Sequence, residues 1–177
     1  MKRPLYKPAV FGCALFLLAG SLQAEVRVPV AQDLQQEGRQ AQSRQLPIML
    51  AFSADDCNYC ELLEEDFLQP ILLSGEYGDR IIIRKLILDD GSSVSDFSGR
   101  DIEATTLSDQ YQVVVTPTIL FVDGEGRELA ERIVGINTPE MFGGYLDTCI
   151  DTARASIRNP ATLATLYGCE LQNPLQP

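Results

Sequence analysis

Residues 48–60 read Ile-Met-Leu-Ala-Phe-Ser-Ala-Asp-Asp-Cys-Asn-Tyr-Cys, and this stretch constrains the fold more than any other. Five apolar residues in a row, in so short a run, predict a central strand over 48–53, covered on both faces. From residue 58 to about 69, Tyr59, Leu63 and Phe67 recur at helical spacing with Leu62 beside them, while Glu61, Glu64, Glu65 and Asp66 fill the other face. Cys57 therefore stands at a helix N-terminus, where unpaired N–H groups and the helix dipole favour a thiolate. Cys60 follows one turn later, close enough to form a disulfide. A bridge at this spacing closes too small a loop to constrain the unfolded chain, so a purely structural role explains it poorly. The reading is a redox pair in which Cys57 attacks and Cys60 resolves the mixed disulfide. The rival is half of a zinc site, which Cys149 and Cys169 would have to complete without forming a matching second pair.

The remaining elements support a mixed sheet. Pro70 should kink or end the first helix, with a turn or two more over 71–77. Residues 80–88 form a second strand, rich in β-branched side chains. Residues 89–101, dominated by Asp, Gly, Ser and Arg, read as a long loop, with Phe97 packing down. A short helix covers 103–111. Residues 112–116 and 118–122 flank Pro117, the latter as an apolar strand. Asp123-Gly124-Glu125-Gly126 is a turn that returns 127–134 antiparallel. Thr138 and Pro139 open a helix running to about 156, in which Gly143-Gly144 is expected to permit close packing. The order β–α–β–α–β–β–α predicts an α/β fold with four to five strands and helices on both faces.

The ends are read separately. Lys2, Arg3 and Lys7 precede an apolar run over 9–20, and Ser21-Leu22-Gln23-Ala24 offers small residues for cleavage. This is the layout of a secretory signal peptide over 1–24, its apolar run too short to span a bilayer comfortably; the other reading is an uncleaved membrane anchor. Residues 25–45 are expected as a lead-in whose helix, over 31–44, lies on the surface ahead of the domain at 46–156. Residues 157–177 form a C-terminal extension with a weak helical stretch at 161–167. Cleavage removes Cys13 and leaves Cys57, Cys60, Cys149 and Cys169 in an oxidising compartment, periplasmic or otherwise exported. It also removes three cations and no carboxylate, so the remainder is more acidic than the −11 of the whole sequence. That charge argues against nucleic acid as a partner. The chain has no histidine, which excludes Ser–His and Cys–His hydrolases and histidine metal sites.

Pro117 opens an apolar strand, where a missing N–H is costly. A cis Thr116–Pro117 peptide and a trans proline at a strand start both account for it. Taken together, Ala-Phe-Ser-Ala…Cys-Asn-Tyr-Cys, Val-Thr-Pro-Thr with the strand after it, Asp-Gly…Val-Gly and a final helix resemble the thioredoxin superfamily from about residue 46 to 155. Within it, Val94-Ser95-Asp96-Phe97-Ser98-Gly99 is similar to a stretch in periplasmic thioredoxin-like proteins of the SoxW, thiol:disulfide interchange type. The resemblance implies a thioredoxin fold with Cys57 as exposed nucleophile and Cys60 as buried resolving thiol. It makes Pro117 a cis-proline facing them, with the Thr116 backbone pairing to an extended substrate and Gly135 on the same rim.

Three departures are notable. Asp56 replaces the tryptophan usual before the first cysteine, Asn58-Tyr59 replaces Gly-Pro, and Ala51 stands where thioredoxin carries a buried aspartate. Proton transfer would then fall to water, Asp55, Asp56 or Glu61. Carboxylates at Asp55 and Asp56 oppose a thiolate, which favours the disulfide form and hence a reducing or isomerising role.

Cys149 and Cys169 are expected to form a structural bridge pinning the extension, against the alternatives of two free thiols or a second redox relay. Tyr59 either contacts substrate or covers Cys60. The function expected is an exported thiol–disulfide oxidoreductase using no cofactor beyond its own Cys57–Cys60 disulfide and no metal. Its partners would be protein or small-molecule thiols and disulfides, with a membrane electron donor. The other reading is a non-catalytic binding module, or a cysteine-based metal-binding protein.

Overall fold

The structure, a computed structural model, describes residues 26–159. Its central element is β1, Ile48–Ser53, whose first five residues are buried. Alternation along the strand sends Met49 and Ala51 into one core and Ile48, Leu50 and Phe52 into another. Both faces are therefore covered, which is why the run is apolar throughout. On one side β1 pairs in parallel with β2, Ile82–Ile87, from Ile48 opposite Ile82 to Ser53 opposite Ile87. On the other it pairs antiparallel with β5, Thr118–Val122, which in turn pairs with β6, Ile133–Val134. The sheet order is β2-β1-β5-β6.

Helices cover both faces, as the element order requires. One core joins Met49, Ala51, Ile119 and Phe121 to Leu63 and Leu68, and to Phe142, Leu146, Cys149 and Ile150 of α5, Pro139–Arg158. The other joins Ile48, Leu50, Phe52 and Leu120 to Leu34 and Ala41 of α1, Leu34–Arg44, and to Leu107 of α4, Ala104–Gln110. Residues 29–31 add a short parallel contact at the β2 edge: the Lys85 N–H donates to the Pro29 carbonyl, and the Ala31 N–H to that of Lys85.

Four local expectations change. The lead-in helix is part of the domain: Leu34, Gly38 and Ala41 of α1 are buried, and a Cβ on Gly38 would collide with the Gly124 carbonyl in the β5–β6 turn. Residues 89–101 are not all loop. β3, Ser93–Ser95, and β4, Asp101–Glu103, form a hairpin closed by Asp96. Pro70 does not end its helix: α2, Asn58–Leu63, runs through a π-helical turn at Glu64–Leu68 into α3, Gln69–Ser74. The wider turn sits just before the proline, whose ring cannot continue the normal ladder. Gly143 and Gly144 are exposed, and a methyl group on Gly144 would meet nothing within 4 Å, so neither serves close packing. The leader 1–24, the helical stretch 161–167 and Cys169 lie outside the described residues.

Two tests follow from this packing. Gly144→Ala should stabilise the protein by about 1 kcal/mol, since it removes backbone entropy from a helix interior without a clash. Gly38→Ala should cost about 1–3 kcal/mol as an overpacking change. Urea unfolding of both variants checks the pair.

The second test concerns pH. Asp96 is buried. Burial alone would raise its carboxyl, but the Ser98 hydroxyl at 2.6 Å, the Arg100 amide at 2.9 Å, the Arg100 Nε at 3.0 Å and the Ser98 amide at 2.8 Å donate to it. Together they lower it to about 2. A carboxyl lowered on folding contributes stability above its ordinary range and loses it as pH falls through the folded value. Unfolding free energy should therefore fall between about pH 4 and pH 2, and fall less steeply over that window in Asp96→Asn.

Candidate active site

β1, β2 and β6 end, and β5 begins, at the same end of the sheet, and the site is assembled from the chain at those points. Leaving β1, the chain turns through Ala54, Asp55 and Asp56. The Asp55 N–H donates to both carboxylate oxygens of Asp89, at 2.9 and 3.1 Å, which ties this turn to the segment after β2. Cys57 then caps α2 in an extended conformation (φ −129°, ψ 94°). Its sulfur accepts from the Cys60 N–H at 3.2 Å, and its carbonyl accepts from the N–H groups of Cys60 and Glu61. The Cys60 N–H, shared between that carbonyl and the sulfur, thus brings a helix-terminal donor to the sulfur that would carry charge.

Cys57 and Cys60 are joined by a disulfide, with Cα atoms 5.2 Å apart. The two sulfurs differ in access: Cys57 is partly exposed, while Cys60 is buried. A thiol from outside can reach one and not the other. Facing Cys57, the Thr116 hydroxyl lies 3.6 Å from its sulfur, and the Thr116–Pro117 peptide is cis. The Pro117 carbonyl accepts from the Gly135 N–H at 2.8 Å. Cys57, Thr116, Pro117 and Gly135, distant in sequence, thus form one rim. Gly135 has φ +68° and open space before it, so glycine is required there for its backbone conformation rather than for crowding. Tyr59 is 58% exposed and stands free for contact with a partner.

Cys149 is not part of this rim. It is fully buried in α5 and is itself disulfide-bonded; Cys169, its expected partner, lies outside the described residues.

The structure adds two residues that were not anticipated. Glu64 and Lys85 line a cavity of about 160 Å³ together with Cys60, Asp55 and Glu61. Lys85 Nζ donates to Glu64 Oε2 at 2.6 Å, and the Val28 N–H donates to Glu64 Oε1 at 3.2 Å. Lys85 is the ladder partner of Ala51. The neighbouring strand and the helix thus place an ion pair beside Ala51, at the cavity that Cys60 borders. Two signals for it were in the sequence: a lysine inside an apolar strand needs a partner, and Glu64 lies one helical turn past Cys60.

A family model described as a thioredoxin-like domain matches residues 34–150. The "Thiol:disulfide interchange protein DsbD" of Yersinia pestis (strain Pestoides F) is 30% identical over 119 residues, which is 67% of this chain and 18% of that protein. This chain thus spans less than a fifth of that relative's length. Among solved structures, a "DsbH Oxidoreductase" aligns with 19% identity and a TM-score of 0.48, covering 75% of this chain and 95% of that one. Mitochondrial thioredoxin 3 of Saccharomyces cerevisiae in its oxidized form aligns with 16% identity and a TM-score of 0.45, covering 68% and 93%. With the family model spanning most of the described domain, from α1 into α5, the chain belongs to the thioredoxin-like domain family.

Proposed function

We propose that this protein is an exported thiol–disulfide oxidoreductase that works in the reducing or isomerising direction. The observation that carries the reading is the asymmetry of the Cys57–Cys60 pair: one reachable sulfur at a helix cap, facing Thr116 and the cis-proline, and one buried sulfur beneath it. In the reduced protein, the Cys57 thiolate attacks a partner disulfide. A Cys57–partner bond forms, the partner's S–S bond breaks, and its second sulfur leaves as a thiolate. Cys60 then attacks the Cys57 sulfur, closes the Cys57–Cys60 disulfide and releases the partner's first sulfur. Two electrons pass to the partner, and the two thiol protons of the pair end on its sulfurs or in solvent. A donor dithiol reverses the sequence to recharge the pair.

Glu64 exchanges the Cys60 proton through the shared cavity, with Lys85 holding the carboxylate in place. Asp55 and Asp56, both exposed beside Cys57, disfavour added negative charge there and support the reducing direction. The leader layout of residues 1–24 supports export, and a membrane-held donor is the expected source of electrons. Among the described residues, no helix is long and apolar enough to cross a membrane. Buried Cys149, out of reach of a partner, acts with Cys169 as a structural bridge.

Reduction of insulin by dithiothreitol should accelerate with the wild type and not with Cys57→Ser. Cys60→Ser should accumulate mixed disulfides on Cys57. Acceleration that survives Cys57→Ser sinks the assignment of the nucleophile. A reduction potential near about −120 mV, that of a strong disulfide-forming oxidant, overturns the direction; the expected value lies below about −200 mV.

Glu64→Gln should slow decay of the mixed disulfide by about tenfold or more, a modest loss for a proton-transfer group, with partial rescue by Glu64→Asp. Rapid acid quench measures this step apart from the initial attack. An unchanged decay rate removes Glu64 from the mechanism.

A further inference from the structure

The sheet order places two chemically different walls on opposite sides of Cys57. Beyond the β2 end lie Asp89 and Asp90, which with Asp55, Asp56 and Glu61 form a group of exposed carboxylates. The one cation in that cavity, Lys85, is already engaged by Glu64. Beyond the β5 and β6 ends the surface is apolar. Of the seven exposed large hydrophobic residues among those described, Val114, Val115, Val134 and Met141 belong to the segments around Pro117 and Gly135, and Tyr59 sits between the cysteines. Val114 is 87% exposed and Met141 54%. Exposed apolar groups collected at one place on an acidic protein mark a contact surface. Of these, Met141 lines a cavity of about 520 Å³ together with Ile133, Gly135, Thr138, Phe142 and Tyr145. Gly135 both bonds to the Pro117 carbonyl and borders this cavity, so the cavity adjoins the rim that faces Cys57.

We infer that the partner is an extended polypeptide segment read on both sides of its reactive cysteine: the acidic wall takes a lysine or arginine, and the cavity takes a large apolar side chain. This inference rests on the exchange activity proposed above. Strand spacing sets the register. One inter-strand spacing, about 5 Å, separates the end of β1 from that of β2, and two spacings, about 10 Å, separate it from that of β6. An extended chain rises about 3.3 Å per residue. The cation therefore stands one or two residues from the cysteine, and the apolar residue three or four residues away on the other side. Docked this way, the partner presents its own cysteine sulfur to Cys57. The Cys57–peptide bond forms, the group disulfide-bonded to the peptide leaves as a thiolate, and Cys60 then releases the peptide thiol.

The test uses the full reduced protein and peptides whose single cysteine is disulfide-bonded to 2-mercaptoethanol. One peptide carries Lys and Leu at the stated offsets; a second reverses their order, a third replaces Lys by Glu, and a fourth replaces Leu by Ser. Hydroxyethyl disulfide serves as the substrate without a peptide. In one of the two orders, the Lys/Leu peptide should react about tenfold faster than its Glu version, a gap that narrows in 0.5 M salt. It should also outpace its Ser version by about tenfold, a gap that salt leaves in place. Met141→Asp should abolish the leucine preference and keep the lysine preference. The Asp55→Asn, Asp56→Asn double variant should do the reverse, so each variant reports the other's integrity. Loss of either preference in the wild type, or rates within twofold across the peptides, overturns the two-walled reading. Failure to react even with hydroxyethyl disulfide overturns the exchange activity itself, and the inference with it.

Discussion

The structure depends first on burial of β1 on both faces. A strand with one solvated face could sit at a sheet edge, but Ile48, Leu50 and Phe52 on one side and Met49 and Ala51 on the other leave it no position except the middle. Its parallel partner β2 and antiparallel partner β5 then bring strand ends of opposite chain direction to the same end of the sheet. The residues leaving β1 and those entering β5 must meet there. That meeting places Thr116 beside Cys57, although 59 positions separate them in sequence. The site follows from the sheet's topology, and the topology follows from the strand's composition.

The chemistry then rests on unequal exposure. If both sulfurs were exposed, an incoming thiol would have two points of attack and the pair no fixed order of events. Here the helix that begins at Cys57 carries Cys60 inward within a single turn, against the β1 end and the cavity shared with Glu64 and Lys85. The attacking sulfur keeps its contact with solvent and with the Thr116 hydroxyl. The Cys60 sulfur is shielded, so in the exchange proposed above it resolves, and its proton leaves through the polar cavity that it borders. Separation of roles between the two cysteines is thus a matter of depth, set by one turn of helix.

Elements that declare themselves by composition were legible in the sequence. β1 was placed at its observed limits, Ile48–Ser53, because nothing but a buried strand accounts for its residues. The turn at Asp123–Gly126 and the start of α5 at Pro139 were legible from turn and cap chemistry. What escaped were features whose energy comes from position rather than residue type. α1 buries Leu34, Gly38 and Ala41 at one-turn intervals, but a glycine adds nothing to an apolar count, and its value lies in letting the Gly124 carbonyl approach. The β3–β4 hairpin is polar, and the four hydrogen bonds converging on Asp96 hold its turn. Pro70 announces a disturbance of the helix, but not that a π-helical turn ahead of it would absorb the disturbance and let the helix run on. Glu64 and Lys85 escaped because each was weighed within its own element, whereas their pairing exists only between a helix and a strand.

That pairing also bears on Ala51, which stands where the sequence resemblance places a buried aspartate in thioredoxin. An isolated carboxylate on a strand covered on both faces would be costly to ionise, and desolvation would act on it alone. A carboxylate on the helix, bonded to a lysine on the adjacent strand and to the Val28 N–H, has its charge balanced, which suits it to the proton exchange proposed for it. Lys85 lies directly opposite Ala51 in the ladder, and its ammonium group reaches Glu64. A carboxylate restored at residue 51 would compete with Glu64 for the same ammonium group. The alanine, the lysine and the glutamate therefore act as one arrangement, and changing any one alters what the other two can hold.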